Sequence, residues 1–187
     1  MRVIGGAAKG RQLKSPTSTG TRPIIDRVKT ALFDTLGDRV EDARVLDLFG
    51  GVGSVGIEAL SRGARHATFI ELSAPIATIL RDNLETTRLA DRATVVRGDA
   101  FHFIETTAAT EQRFDLIYVA PPQYEGLAGK AFAAIDAIPL TTAGGLIIVQ
   151  VHPKERQDLV ALLPRNHRLH DERRYGSTLL LFYDALA

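Results

Sequence analysis

Val45-Leu46-Asp47-Leu48-Phe49-Gly50-Gly51-Val52-Gly53-Ser54-Val55-Gly56 decides the fold. It begins as a near-continuous apolar run, as expected of a strand covered on both faces. It then breaks into glycines, which let a chain turn sharply and approach a ligand closely. The residues after Gly53 resume with the spacing of a helix. Strand, glycine turn and helix in that order form the first step of a ligand-binding α/β sheet. Gly51, Gly53 and Gly56 also spell G-x-G-x-x-G, the dinucleotide fingerprint, and Glu71 follows about 20 residues after Gly51, where an acid is placed to hold ribose hydroxyls.

The same alternation runs outward from this stretch. Strands are expected at Arg44–Leu48, Ala67–Glu71, Thr94–Arg97, Asp115–Val119 and Gly145–Val151. Helices are expected at Ser54–Arg62, Ala74–Thr87, Ala100–Thr107, Gly126–Ala137 and Lys154–Leu163. Regular βα alternation implies a doubly wound, mostly parallel sheet. The tail differs: His167–Arg174, Tyr175-Gly176 and Ser177–Tyr183 read as two strands with a tight turn and no helix, so they belong antiparallel at the sheet edge. Ahead of the core, Arg2–Ile4 and Gln12–Lys14 read as a small hairpin. Arg22-Pro23 opens a helix near Ile24, whose apolar positions Ile25, Val28, Ala31, Leu32 and Leu36 share helical spacing before Gly37 stops it. A single domain is expected over residues 1–187, with 1–22 as an extension and 23–187 as a Rossmann-like core.

Composition narrows the function classes. A chain of 187 residues with 45% hydrophobic and 24% charged residues is ordinary for a soluble globular protein. It has no cysteine, which excludes disulfides, thiolate metal sites and a cysteine nucleophile. Met1 to Gly10 lacks the apolar segment of a signal peptide, and the most apolar stretch, Leu146–Val151, is far short of the ~20 residues that span a bilayer. A cytoplasmic protein without membrane partners is expected. The net charge is +1, yet Arg2, Lys9, Arg11, Lys14, Arg22, Arg27 and Lys29 crowd the first 30 residues against a single acid, Asp26. A basic arm on a near-neutral body points to a polyanion or to a solvated tail.

The loop's own chemistry leaves two ligand classes. A dinucleotide would place its pyrophosphate on the helix N-terminus. Asp47, at the end of the strand, repels such a group and suits a ligand that carries an ammonium, as the methionine half of S-adenosylmethionine does. Asp99, in Arg97-Gly98-Asp99-Ala100, closes the third strand and either caps the next helix or reaches the ligand. Asp47, Glu71 and Asp99 thus fall at carboxyl ends of strands, where open α/β sheets bind ligands.

Several further motifs bear a family resemblance along nearly the whole chain. They are Met1-Arg2-Val3-Ile4-Gly5-Gly6 with Gly10-Arg11; Thr21-Arg22-Pro23 with Asp26-Arg27-Val28; Leu32-Phe33; the glycine loop with Gly56-Ile57-Glu58-Ala59-Leu60-Ser61-Arg62-Gly63-Ala64; Phe69-Ile70-Glu71; Phe114-Asp115-Leu116-Ile117; and Tyr175-Gly176-Ser177-Thr178. The chain resembles the bacterial small-subunit ribosomal RNA guanine-N2 methyltransferases of the RsmD type. The resemblance implies a class I methyltransferase fold with a seven-stranded sheet, a methyl donor, S-adenosyl-L-methionine, and ribosomal RNA or the assembled small subunit as partner. It also implies that Asp47, Gly50, Gly51 and Gly53 cradle the methionine half, that Glu71 binds the ribose, and that Asp99 with Ala100 holds the adenine. It implies further that the N-terminal hairpin touches RNA, and Arg2, Lys9, Arg11, Arg22, Arg27 and Lys29 are the candidate contacts. A monomer without a metal site is expected.

The catalytic step departs from the family pattern. Relatives carry Asp or Asn, then Pro-Pro, then Tyr or Phe; here Val119-Ala120-Pro121-Pro122-Gln123-Tyr124 puts alanine in the acidic slot and the ring one residue late. The exocyclic amine of guanine is a poor nucleophile because its lone pair is delocalised. A side-chain oxygen and a proline carbonyl accept its N–H groups and aim the lone pair, while the aromatic ring stacks on the extruded base. Loss of one such acceptor costs about 3–4 kcal/mol, or roughly 10²–10³ in rate. Pro121, Pro122, Gln123 and Tyr124 are the catalytic candidates, with the Pro121 carbonyl as main acceptor. Two rivals stay open: a non-catalytic RNA- or ribosome-binding relative, suggested by Ala120, and a dinucleotide-dependent oxidoreductase. The histidines show no ligand pairing beyond His167 with His170, which reads as a solvated basic edge.

Overall fold

The computed structural model describes residues 1–16 and 24–186. Its seven strands follow the order β3-β2-β1-β4-β5-β7-β6 in one sheet, the seven-stranded, mostly parallel α/β architecture expected. None of the helices among the described residues is long and apolar enough to cross a membrane. The chain forms two compact units, Met1–Asp99 and Ala100–Ala187.

The first unit holds α1 (Asp26–Leu36), β1 (Arg44–Asp47), α2 (Ser54–Ser61), β2 (His66–Glu71), α3 (Ala74–Thr87) and β3 (Ala93–Arg97). The three strands are parallel, with Asp47 beside Phe69 and Glu71 beside Arg97. Val45, Leu46, Phe69 and Ile70 are buried, so β1 and β2 carry the continuous apolar runs expected of covered strands. Gly37 ends α1 with φ +51 and donates its N–H to the Phe33 carbonyl, an ordinary glycine stop. Ile25, expected on the helix's core face, is instead the exposed residue that precedes it. Arg22 and Pro23 lie outside the described residues.

The expected N-terminal hairpin is reduced to one antiparallel bridge, Arg2 with Gln12, flanked by backbone bonds from Val3 N to Arg11 O and from Leu13 N to Met1 O. So short a ribbon is not stable alone. Its stability comes from the helices behind it. Val3, Ala8 and Leu13 are buried. Glu58 on α2 is fully buried and accepts the Ile4 N–H at 2.8 Å and the Gly5 N–H at 2.7 Å. It also meets Lys29 Nζ of α1 at 3.3 Å and Arg62 Nε at 2.8 Å. Ser61 accepts the Ala8 N–H and donates to the Gly5 carbonyl. On α3, Asn83 accepts the Lys14 N–H at 2.7 Å and donates to the carbonyls of Lys14 and Val52.

The second unit holds α4 (Ala100–Ala108), β4 (Phe114–Val119), α5 (Leu127–Asp136), β5 (Thr141–Val151), α6 (Arg156–Val160), β6 (His167–Tyr175) and β7 (Thr178–Ala185). β4 and β5 are parallel; β7 runs antiparallel between β5 and β6, as the tail's pattern predicts. β5 starts at Thr141 rather than Gly145. The register with β4 shifts between Phe114 and Leu116, and Gly144, at φ +74, lies within the shift. A Cβ on Gly145 would lie 2.9 Å from the Thr142 carbonyl, so the glycines that looked like a strand boundary serve a bulge inside it. α6 is one turn and a half, not ten residues. Only Leu159 is buried within it and Leu163 is exposed, so no apolar stripe sustains a longer helix.

Removing the Glu58 carboxylate leaves Lys29 buried without its counter-charge and two backbone N–H groups without an acceptor. Glu58→Ala is expected to lower unfolding free energy by about 3–5 kcal/mol in urea titration. Arg62→Ala, at the open end of the same cluster, is expected to cost well under half of that.

Candidate functional site

In the first unit, chemistry gathers at the carboxyl ends of the three parallel strands. Asp47 ends β1 and is 2% exposed. Its one hydrogen bond comes from the Gly56 N–H, 3.1 Å from Oδ2, and no cation among the described residues pairs with it. Burial pushes its carboxyl up to about 7; the Gly56 N–H opposes the rise and the charge of Glu71 adds to it. A buried carboxyl in this condition favours an incoming cation.

The glycine loop is built by its hydrogen bonds. Gly50 donates its N–H to the Ile70 carbonyl at 2.8 Å, and Gly53 donates to the Gly50 carbonyl at 2.8 Å. Gly51 and Gly53 hold φ of +53 and +87. The fingerprint glycines have different reasons to be glycine. A Cβ on Gly53 would strike Leu80 at 2.3 Å, and one on Gly56 would strike the Phe69 ring at 2.2 Å. Both let α2 lie close to its neighbours. A Cβ on Gly51 would meet nothing nearer than the Phe49 carbonyl at 4.0 Å, so space opens beside the loop there.

Glu71 ends β2. Its Oε2 accepts the Gly51 N–H at 2.9 Å and its Oε1 the Ser73 N–H at 2.7 Å. Each oxygen keeps a lone pair that no donor among the described residues uses. Leu72, next in the chain, is 68% exposed, an apolar surface beside a carboxylate that sequence reasoning missed. Gly98 donates to the Glu71 carbonyl at 3.1 Å, which ties the end of β3 to the end of β2; Asp99 follows, exposed, and Ala100 begins α4, buried. The residue set fits a cationic nucleoside: a buried carboxyl for an ammonium, open space at Gly51, and an acid with an apolar neighbour for a ribose and base.

In the second unit, the segment after β4 places Pro121 buried, Gln123 half-buried, and Pro122 and Tyr124 exposed. The Pro121 carbonyl accepts no hydrogen bond from the described residues. Tyr124 is a non-glycine residue at φ +65. Such a backbone persists only when its surroundings hold it. The holder is Glu155, buried, whose Oε1 accepts the Tyr124 N–H at 3.1 Å and whose Oε2 accepts the His152 N–H at 3.2 Å. His152 follows β5, and its ring centroid lies 5.2 Å from that of Tyr124. Neither His152 nor Glu155 stood out in the sequence. The only signal was His152-Pro153-Lys154-Glu155, a capping box with histidine in place of the usual serine or threonine.

The basic candidates divide. Arg2 is exposed and meets Asp26 at 3.3 Å; Lys9 and Arg27 are exposed; Arg11 is half-buried with Nη1 on the Thr86 carbonyl. Arg22 lies outside the described residues. Lys29 departs from the expected surface position. Its ammonium is fully buried against Glu58, the Arg2 carbonyl and Ser54, so it faces no polyanion. Burial lowers its pKa, with Glu58 opposing. His167 is not part of a solvated edge either. It is buried, with Nδ1 2.9 Å from Asp136 and Nε2 3.0 Å from the Thr141 hydroxyl.

The family model Conserved hypothetical protein 95 matches residues 1–184. The chain is 34% identical over 183 residues to the ribosomal RNA small subunit methyltransferase D of Escherichia coli K12, covering 98% of this chain and 89% of the relative. A hypothetical protein of Thermus thermophilus superposes with a TM-score of 0.82 at 35% identity, over 97% of this chain and 98% of that one. At the level of fold alone, an RNA methyltransferase from Salinibacter ruber in complex with S-adenosyl-L-homocysteine superposes with a TM-score of 0.67 at 14% identity, over 88% and 94% of the two chains.

The raised Asp47 carboxyl has a signature in the free protein. Its unfolded value is near 3.8 and its folded value about 7, so the native state binds the extra proton between them. Stability therefore falls as pH rises from about 4 to 7, by up to ~4 kcal/mol. Asp47→Asn removes the titration. The variant is expected to melt near wild type at pH 4 and clearly above it at pH 8; an equal offset at both would assign the effect elsewhere.

Proposed function

The chain belongs to the Conserved hypothetical protein 95 family, that of the ribosomal RNA small subunit methyltransferases D, and on that premise we propose that it methylates the exocyclic N2 amine of a guanine in small-subunit ribosomal RNA, with S-adenosylmethionine as donor. The observation that carries the donor is Asp47: a buried carboxyl without a counter-cation among the described residues, beside a glycine loop with open space at Gly51. A bound pyrophosphate would add negative charge next to it, which argues against the dinucleotide reading.

S-adenosylmethionine supplies a methyl group on a sulfonium, with an ammonium at one end and a nucleoside at the other. In this reading Asp47 takes the ammonium, and Gly50, Gly51 and Gly53 leave room for the methionine half. The free lone pairs of Glu71 take the ribose hydroxyls. Leu72, Asp99 and Ala100 receive the adenine.

On the acceptor side, Pro121 offers a carbonyl with no competing donor among the described residues. It accepts an N–H of the guanine amine and so directs the lone pair. Gln123 supplies a second acceptor oxygen where Ala120 cannot. Tyr124, 63% exposed and fixed in backbone, presents its ring to an extruded base. Pro122 stiffens the turn. Arg2, Lys9 and Arg11, on a ribbon pinned by Glu58, Ser61 and Asn83, contact phosphates, as does the exposed Arg27; Arg22, outside the described residues, is a further candidate by its charge.

Transfer of labelled methyl to small ribosomal subunits that lack the modification tests the reading. Wild type is expected to transfer; Tyr124→Ala is expected to lose about 10–100-fold in kcat/KM. Asp47→Ala is expected to abolish the heat of S-adenosylhomocysteine binding. Absent transfer with normal binding heat would leave only the non-catalytic reading. On the RNA side, joint reversal of Arg2, Lys9 and Arg11 to Glu is expected to weaken RNA binding and flatten its salt dependence by about two to three phosphate contacts.

A further inference from the structure

We infer that His152 is a specificity-determining contact of the acceptor base, donating a hydrogen bond from Nε2 to a ring nitrogen or carbonyl oxygen of a base stacked on Tyr124, and that Glu155 is the positioning residue that mounts both rings. The inference rests on the reading of Tyr124 as the stacking ring.

Three features of the second unit carry it. The first is placement. β4 and β5 are parallel neighbours, so the loops after Val119 and Val151 emerge at the same edge of the sheet. They bring Tyr124 and His152 to a ring-centroid distance of 5.2 Å with planes tilted by 44°. The second is the proton on the imidazole. His152 Nδ1 accepts the Lys154 N–H at 3.2 Å, so it carries a lone pair rather than a hydrogen. The N–H of the imidazole is then on Nε2. That nitrogen has no hydrogen-bond partner among the described residues. His152 therefore presents a donor and not an acceptor. It does not substitute for the carboxylate or amide missing at Ala120, because the guanine amine also needs acceptors. It reads the complementary feature, an acceptor atom on the base.

The third feature is the cost of the arrangement. Tyr124 holds a left-handed backbone that a tyrosine rarely adopts, and its ring remains mostly exposed, so packing does not offset that strain. One buried carboxylate commits both oxygens to it, one to the Tyr124 N–H and one to the His152 N–H. A clamp that fixes two ring-bearing residues from two loops while leaving the rings at the surface suits a ligand that slides against them. It contributes little to the protein's own core.

The test compares wild type with His152→Phe, His152→Gln and Glu155→Gln. The Phe variant keeps a ring and deletes the donor; the Gln variant restores an N–H at similar reach. Methyl transfer to small ribosomal subunits lacking the modification and equilibrium binding of the same RNA are read together, with S-adenosylhomocysteine affinity as a control. His152→Phe is expected to raise KM for RNA and weaken RNA binding by about 3–10-fold at unchanged S-adenosylhomocysteine affinity, and His152→Gln to recover most of the loss. Glu155→Gln leaves one acceptor oxygen for two N–H groups and is expected to shift KM in the same direction. Wild-type values of KM and RNA affinity in His152→Phe would overturn the inference. Absent methyl transfer by wild type would instead count against the function proposed above, and the RNA affinities of the three variants would still decide the role of His152.

Discussion

The buried Glu58 carboxylate is the contact on which the first unit's organisation depends. It sits on α2, the helix that follows the glycine loop, and takes donors from three parts of the chain: the Ile4 and Gly5 N–H groups, the Lys29 ammonium and the Arg62 guanidinium. A buried ion pair is weak as a source of net stability, since desolvation offsets most of the attraction. Its value lies in geometry. Donors placed on the N-terminal ribbon and on α1 are satisfied only when both lie against α2. Asn83 makes a second tie of the same kind: its amide oxygen accepts the Lys14 N–H, and its amide nitrogen donates to the Lys14 and Val52 carbonyls. The basic ribbon and the glycine loop therefore share their anchors, and disturbance of either is felt by the other.

Asp47 shows the opposite use of a buried carboxyl. Glu58 has every lone pair spoken for by a local donor, whereas Asp47 has one backbone N–H and a raised affinity for a proton. The first is a closed structural device; the second is an open site with stored electrostatic demand. The contrast also separates the ligand classes that share G-x-G-x-x-G. The motif's later glycines, Gly53 and Gly56, here relieve contacts with Leu80 and Phe69, which any close-packed βα unit needs. The carboxyl at the end of β1 discriminates, because it favours a cation where a dinucleotide brings an anion.

Legibility from sequence followed the range of the interactions. Elements set by local pattern were readable: the alternation of strands and helices, the glycine turn, the antiparallel tail, and the acids Asp47 and Glu71 at strand ends. What stayed hidden depends on partners far away in the chain. Lys29 looked like one more cation in a basic arm because its partner lies on another helix. Gly144-Gly145 looked like a strand boundary because a bulge is defined by the opposite strand. His152 and Glu155 looked unremarkable because their meaning comes from the Tyr124 backbone, 31 residues from Glu155. The run Glu58–Ala64 was recognisable as a family signature without its cause; the hydrogen bonds of Glu58, Ser61 and Arg62 supply that cause.

Burial tells apart two arrangements of polar side chains in the second unit. Asp136, His167 and the Thr141 hydroxyl form a chain of the carboxylate–imidazole–hydroxyl kind, with links of 2.9 and 3.0 Å. That connectivity resembles a nucleophilic relay. Yet the Asp136 carboxylate also accepts the N–H groups of Arg165 and Asn166. Burial would raise its pKa, but these bonds and His167 outweigh that effect and hold it below the usual carboxylate value. With its carboxylate fully engaged and its imidazole buried against the Phe132 ring, the chain fastens the end of α5 to the starts of β5 and β6. The Tyr124–His152–Glu155 group shares the buried, engaged carboxylate and differs in the rest: the Tyr124 ring is exposed and His152 half-buried, one backbone is strained, and the imidazole keeps a donor without a partner among the described residues. Polar groups that are satisfied and enclosed hold a fold together. Those held rigidly at the surface with a hydrogen bond still to make are placed for something the chain itself does not contain.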